Sequence, residues 1–207
     1  MESYSSTTKL RLIAGKAFVQ IVFAFVIASF MGCNPDSPLP TCDTSNSEFQ
    51  TIFQNMLATG HNDQVFIDTE VHEYTFTLST TKSLCKIGYR SHSALANTPY
   101  TIAIVDNTNS TTIYTGNHVF SSSATSYVSL NAPVILQAGN SYTVKRIQTN
   151  WGGNIGNTVG RVARKSPMSF PYTAGIMTIT NAKFYQHTVS SSVLNNFALP
   201  YVDLIFA

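Results

Sequence analysis

The chain has 207 residues and a formal net charge of +2, with 12 basic and 10 acidic residues; 43% of it is hydrophobic and only 11% charged. With no Lys/Arg cluster interleaved with aromatics, it carries no electrostatic footprint for nucleic acid, and that partner is excluded. Cysteine usage is thin, and the five histidines are scattered without the His-x-x-x-His spacing of a zinc site, so no metal is assigned.

Lys9, Arg11 and Lys16 form a positive N-terminal region, and residues 17–31 form an apolar run broken only by Gln20 and Ser29. The run is shorter than the roughly 20 residues of a spanning helix. It ends at Gly32 and meets Asn34-Pro35-Asp36-Ser37-Pro38, which a helix does not readily cross. Residues 1–32 are therefore read as a signal peptide; an uncleaved anchor helix, or a signal cut elsewhere, are the alternatives. In each case the remainder leaves the cytoplasm. Phe30-Met31-Gly32-Cys33 resembles the lipobox of Gram-negative bacterial lipoproteins, although Phe30 and Met31 replace the usual Leu and small residue. The resemblance implies that Cys33 is lipidated and anchors the protein in the cell envelope, the outer membrane favoured, facing periplasm or exterior. Loss of Glu2, Lys9, Arg11 and Lys16 with the signal leaves a formally neutral protein.

Residues 33–63 are expected to be a lipidated tether. Residues 34–47 are rich in Pro, Ser, Asn and Asp. Within 48–57, Phe49, Ile52, Phe53, Met56 and Leu57 recur at helical spacing, so this stretch is a short amphipathic helix or a loose approach to the domain. Cys42 and Cys85 either pair in an oxidising compartment or leave Cys85 as a small buried residue on the face of Ile87 and Tyr89; the sequence leaves both open.

From residue 64 the texture is β. Residues 71–78 alternate, with Tyr74, Phe76 and Leu78 on one face, and His72 falls on that apolar side. Further strands are expected at 84–90, 100–105, 112–114, 118–120, 126–130, 134–136, 141–148, 176–185 and 201–206. Gly116 is read as a turn or bulge. In 141–148, Tyr142, Val144 and Arg146 alternate against Thr143, Lys145 and Ile147. Short strands at this spacing, without intervening long helices, predict an all-β protein: one antiparallel β-sandwich, a jelly roll, over 64–207. Ala132-Pro133-Val134-Ile135-Leu136-Gln137-Ala138-Gly139-Asn140-Ser141-Tyr142-Thr143-Val144 resembles the P-V-x-L-x-A-G-x-x-Y-x-V stretch of extracellular bacterial jelly-roll domains of unknown function, which occur beside carbohydrate-associated modules. The match extends upstream to about residue 70 and leaves the C-terminal third uncovered.

The candidate ligand-binding loop is 148–160. It holds the only Trp and four of the eleven glycines. Trp151 offers an apolar platform, and Asn150, Asn154 and Asn157 offer amides, the chemistry that sugars need. The alternative is a loop shaped by glycine whose Trp folds back onto the core. Asp63, Asp68, Glu70 and Glu73, with His61 and His72 nearby, are a second candidate, for glycoside hydrolysis or a structural Ca²⁺; no EF-hand spacing supports the ion, and a charged strand edge is preferred. Lys145, Arg146, Arg161, Arg164 and Lys165 are a third, as a basic patch for an anionic polysaccharide or headgroup, with a solvated surface preferred. No Gly-x-Ser-x-Gly elbow or phosphate loop occurs. The expectation is a non-catalytic, lipid-anchored envelope module without cofactor that binds carbohydrate. A structural or adhesive lipoprotein meeting an envelope protein is the alternative, and a hydrolase ranks last.

Overall fold

The computed structural model describes residues 42–157, 159–186 and 189–207, with side chains omitted for 189–192. The expected signal peptide, its expected lipidation site Cys33 and the start of the expected tether lie outside the described residues. No described helix is long and apolar enough to cross a membrane.

The helical alternative for residues 48–57 is the one realised, as α1 (Glu48–Ala58). Ser47 caps it by accepting from the Gln50 amide (2.9 Å). Gly60, at φ +87°, ends it. The Gly60 and His61 amides bond back to the Leu57 and Met56 carbonyls, a Schellman closure that only a residue tolerant of positive φ permits cheaply. Phe49, Ile52, Phe53 and Met56 are buried, with Phe49 stacked on Tyr74 at 5.4 Å. These residues therefore belong to the domain core and not to a tether.

The strands are β1 (Asn62–Phe66), β2 (Val71–Leu78), β3 (Lys82–Tyr89), β4 (Tyr100–Asp106), β5 (Thr111–His118), β6 (Ser126–Leu136), β7 (Ser141–Gln148), β8 (Gly160–Arg164), β9 (Tyr172–Ala174), β10 (Met177–Gln186), β11 (Val189–Asn195), β12 (Leu199–Pro200) and β13 (Asp203–Phe206). They pair antiparallel in three sheets. The largest runs β11-β10-β2-β7-β4-β5, with β9 also on β10; the others run β13-β3-β6 and β1-β8-β12. The expected all-β sandwich is what forms. Its main core joins the inner faces of β2, β4, β7 and β10 to Leu84, Ile87 and Leu204 of the second sheet and to α1. A smaller cluster (Ile67, Val162, Phe184, Ala198) brings residues of β8 and β10 together.

Two local expectations are corrected. Gly116 is neither a turn nor a bulge: it sits inside β5, paired with Ile102. Its missing side chain leaves room for the Tyr114 hydroxyl and His118 Nε2 to meet at 2.6 Å. Cys85 does not share the face of Ile87 and Tyr89. Against β13 the register passes from Lys86 to Leu84, so Cys85 is an extra residue there and Leu84 takes the core position; against β6 the surplus lies on β6, between Ser129 and Val134. Cys85 is disulfide-bonded to Cys42, with their α-carbons 6.3 Å apart.

Asp203 ties the N-terminal helix to the C-terminal strand. Fully buried, it accepts from Ser47 Oγ (2.5 Å), Gln50 Nε2 (2.7 Å) and the Tyr127 hydroxyl (2.9 Å). Gly88 makes this geometry available. It lies opposite Asp203 on one side and Tyr127 on the other, and the Tyr127 ring occupies the space that a side chain there would fill.

Candidate functional site

Strand pairing brings β1 and β8 together with Val65 opposite Arg161. Beside them lie the stretch after β3 and the serine loop before β6. Two adjoining clefts of about 220 and 490 Å³ open here, both lined by Val65, Arg90 and Arg161. Ser91, His92, Ser93 and Ser122 add to the first, and Asp63, Gln64, Ser123 and Thr125 to the second.

Most of these groups are fixed. Arg161 grips Asp63 through Nε (2.9 Å) and Nη2 (2.6 Å), while its guanidinium covers Phe53 (4.8 Å) and Tyr201 (4.6 Å). The hydrogen bonds to Asp63 raise its pKa further, so it stays cationic. Arg90 Nε donates to the Ser122 carbonyl (3.1 Å), and the Ser91 amide to that of Ser121 (2.9 Å). His92 Nδ1 accepts from the Ala94 amide (3.3 Å). The Ser121 and Ser123 hydroxyls meet at 2.9 Å. The result is a held array of hydroxyls, guanidiniums, an imidazole and an amide beside one exposed apolar side chain, Val65.

The Trp loop leaves β7 at Gln148 and enters β8 at Gly160, so it rises from the same end; Val159, its last residue, lines the smaller cleft. Trp151 is half-buried, and its indole N–H donates to Asp68 Oδ1 (3.3 Å). Asp68 also accepts from the Gly156 amide, at a turn where Gly156 takes φ +89°. The amide of Asn154 is spent on the loop itself, donating to the Asn150 carbonyl at 2.7 Å. The Asn157 backbone amide donates to the Asn154 carbonyl (2.9 Å). Asn150 is exposed and Asn157 half-buried. Trp151 therefore presents part of its ring without its N–H, in a loop braced from within.

The carboxylates do not converge. Asp63 serves Arg161, Asp68 braces the Trp loop, and Glu73 bonds Lys145 (3.3 Å) and the Tyr185 hydroxyl (2.9 Å). Glu73 is also not an edge charge: it is buried on β2, between β10 and β7. Glu70 is half-buried just before β2, its carbonyl accepting from the Gln148 amide (2.9 Å). His61 continues the end of α1, with Nδ1 at 2.8 Å from the Met56 carbonyl and Nε2 at 2.9 Å from the Tyr172 hydroxyl. Among the described residues no group of three or more His, Cys, Asp or Glu is placed to hold a metal ion.

The basic patch is dispersed as well. Arg164 lies over Phe197 (3.9 Å), Lys165 donates to the Thr59 carbonyl (2.9 Å), and Lys145 pairs with Glu73. Arg146 is fully buried, on the opposite face of β7 from Lys145, with its guanidinium over Tyr89 and Tyr100. The alternation that put it beside Tyr142 and Val144 described its position better than its charge did.

The cleft escaped sequence reading because its walls come from four separate stretches that only the β1–β8 pairing and the serine loop assemble. The sequence matches no protein-family model and none of the curated proteins.

Proposed function

We propose that this chain is an exported, membrane-tethered, non-catalytic module that binds carbohydrate at the cleft end of its sandwich. The paired clefts carry the reading: hydroxyl, amide and guanidinium groups suit the hydroxyls of a sugar, while Val65 suits its C–H faces; Trp151 lines neither cleft and stands in the loop whose last residue, Val159, does. Export is supported by the Cys42–Cys85 disulfide, a bond that persists in oxidising compartments. Lipidation of Cys33 would hold the domain close to a membrane, since the residues from Cys33 to Cys42 reach at most about 30 Å. The jelly-roll topology and the likeness to extracellular modules belong to the same proposal.

The test is a glycan array probed with the full-length protein purified from membranes in detergent micelles, beside Arg90→Ala. Binding to a subset of glycans, weakened in the variant, is expected. No retained glycan overturns the reading. A second reading, a protein partner, is favoured by the edge strand β1, where Val65 and Phe66 are 62% and 46% exposed. A silent array combined with an envelope protein crosslinked through β1 would replace the first reading with this one.

A further inference from the structure

Behind the smaller cleft, between the sheets, six polar side chains meet in the interior: His72, Tyr89, Ser91, Tyr100, Arg146 and Gln148. Strand register gathers them. His72 of β2 lies opposite Arg146 of β7, and Gln148 of β7 opposite Tyr100 of β4. Arg146 and Gln148, two residues apart, share the inner face. The Arg146 guanidinium sits 5.8 and 5.5 Å from the ring centres of Tyr89 and Tyr100, which meet edge-on at 5.0 Å. Gly160 closes the cluster: a Cβ there would stand 3.0 Å from the Tyr89 hydroxyl and 3.1 Å from His72 Nδ1.

Buried polar atoms in native proteins nearly always have partners. Here His72 Nε2, the Tyr89 hydroxyl and both amide atoms of Gln148 have none, although these side chains are at least 98% buried. Their chemistry is specific. Burial, aided by the Arg146 charge, holds the His72 pKa well below 6.5, and the ring bonds the Ile67 backbone; the neutral Nε2 therefore presents a lone pair. Burial raises the Tyr89 pKa to about 12, so its hydroxyl keeps its proton and both gives and accepts. Gln148 adds one acceptor and one NH₂. A hydroxyl can give its proton to His72 Nε2 or Gln148 Oε1 and accept from the Tyr89 hydroxyl or the Gln148 NH₂, whereas a carboxylate has no proton to give either acceptor.

The cluster adjoins the cleft. Ser91 lines the cleft and meets the Tyr100 hydroxyl at 3.2 Å, and Gly160 lies between the cleft residues Val159 and Arg161. We propose that this cluster is the inner subsite of the carbohydrate site: it receives a hydroxyl-bearing arm of a neutral sugar, and water occupies it when no sugar is bound. The assignment rests on the carbohydrate reading for its ligand and on the unpartnered atoms for its place.

The test follows the ¹⁵N shift of His72 Nε2 in the full-length protein in micelles, titrated with glycerol, glucose and acetate. A saturable shift with glycerol and glucose, absent with acetate, is expected. Tyr89→Phe, which removes one oxygen and keeps the ring, should weaken it at least tenfold with thermal unfolding still cooperative; Gln148→Met should do the same. Silence at His72 toward both polyols (internal water only), a response to acetate alone, or an unaltered response in Tyr89→Phe overturns the proposal. Glycans bound on the array with His72 silent overturn the subsite alone. A silent array with His72 responsive overturns the carbohydrate reading and leaves a polyol site, and silence in both overturns both.

Discussion

Replacing Asp203 by alanine removes the one acceptor shared by Ser47, Gln50 and Tyr127, three donors that link α1 and β6 to β13. Hydrogen bonds to a charged group contribute about 1.5–3 kcal/mol each, but Gln50 and Tyr127 are half-buried and partly recover water. The expected loss is about 3–5 kcal/mol, measured by urea unfolding at neutral pH. The pH dependence is a second, independent readout. Burial raises the Asp203 pKa above the ordinary aspartate value of 3.8, outweighing the opposing hydrogen bonds from Ser47, Gln50 and Tyr127. A raised folded pKa gives a contribution that is complete below pH 3.8 and is lost as pH rises through the folded value. Asp203→Asn removes that titration. The stability of the parent minus that of Asp203→Asn should therefore fall as pH rises across that window and level off above it. A loss under 1 kcal/mol in Asp203→Ala, or a flat difference curve for Asp203→Asn, would refute the reasoning.

Three further outcomes are expected. Removing the disulfide by Cys42→Ser, which opens a loop with a separation of 43 residues, should cost about 4 kcal/mol in denaturant unfolding by loop-closure entropy; less than 1 kcal/mol would contradict it. Gly88→Ala should cost about 2–3 kcal/mol, because the added methyl overpacks against the Tyr127 ring and Asp203; an unchanged Tm would show that Tyr127 does not need that space. The third concerns His72, whose folded pKa is depressed by burial and by Arg146, so that the unfolded chain takes up its proton first. Stability relative to His72→Gln should be full above pH 6.5 and fall by up to about 1.4 kcal/mol per pH unit below it; a parallel pair of pH curves would contradict the burial.

Elements with strong periodicity were legible from sequence. Residues 71–78 and 141–148 alternate, lie at the centre of the large sheet and formed where expected, and the spacing of Phe49, Ile52, Phe53 and Met56 offered α1 as one of two alternatives. The strands that went unread carry no such pattern. Gly160–Arg164 is short and charged, Val189–Asn195 is rich in serine, and Leu199–Pro200 is two residues long. Cys85 was misplaced because one extra residue in β3 reverses the facing of everything before it. Arg146 looked like a surface charge until two tyrosine rings supplied its surroundings. Of the candidate site, the Trp loop was visible as composition. Its internal hydrogen bonds were not, and neither was the cleft, whose residues are neighbours only through pairing.

Trp151 is the only tryptophan, so emission excited selectively at tryptophan, beyond the absorption of the ten tyrosines, reports on the Trp loop alone. The most direct test of carbohydrate binding at the cleft end is a fluorescence titration of the full-length protein in micelles with a glycan it retains. A saturable change in Trp151 emission, with affinity reduced in Arg90→Ala, is predicted. Glycan binding that leaves the emission unchanged and is indifferent to Arg90→Ala would contradict the assignment of the site.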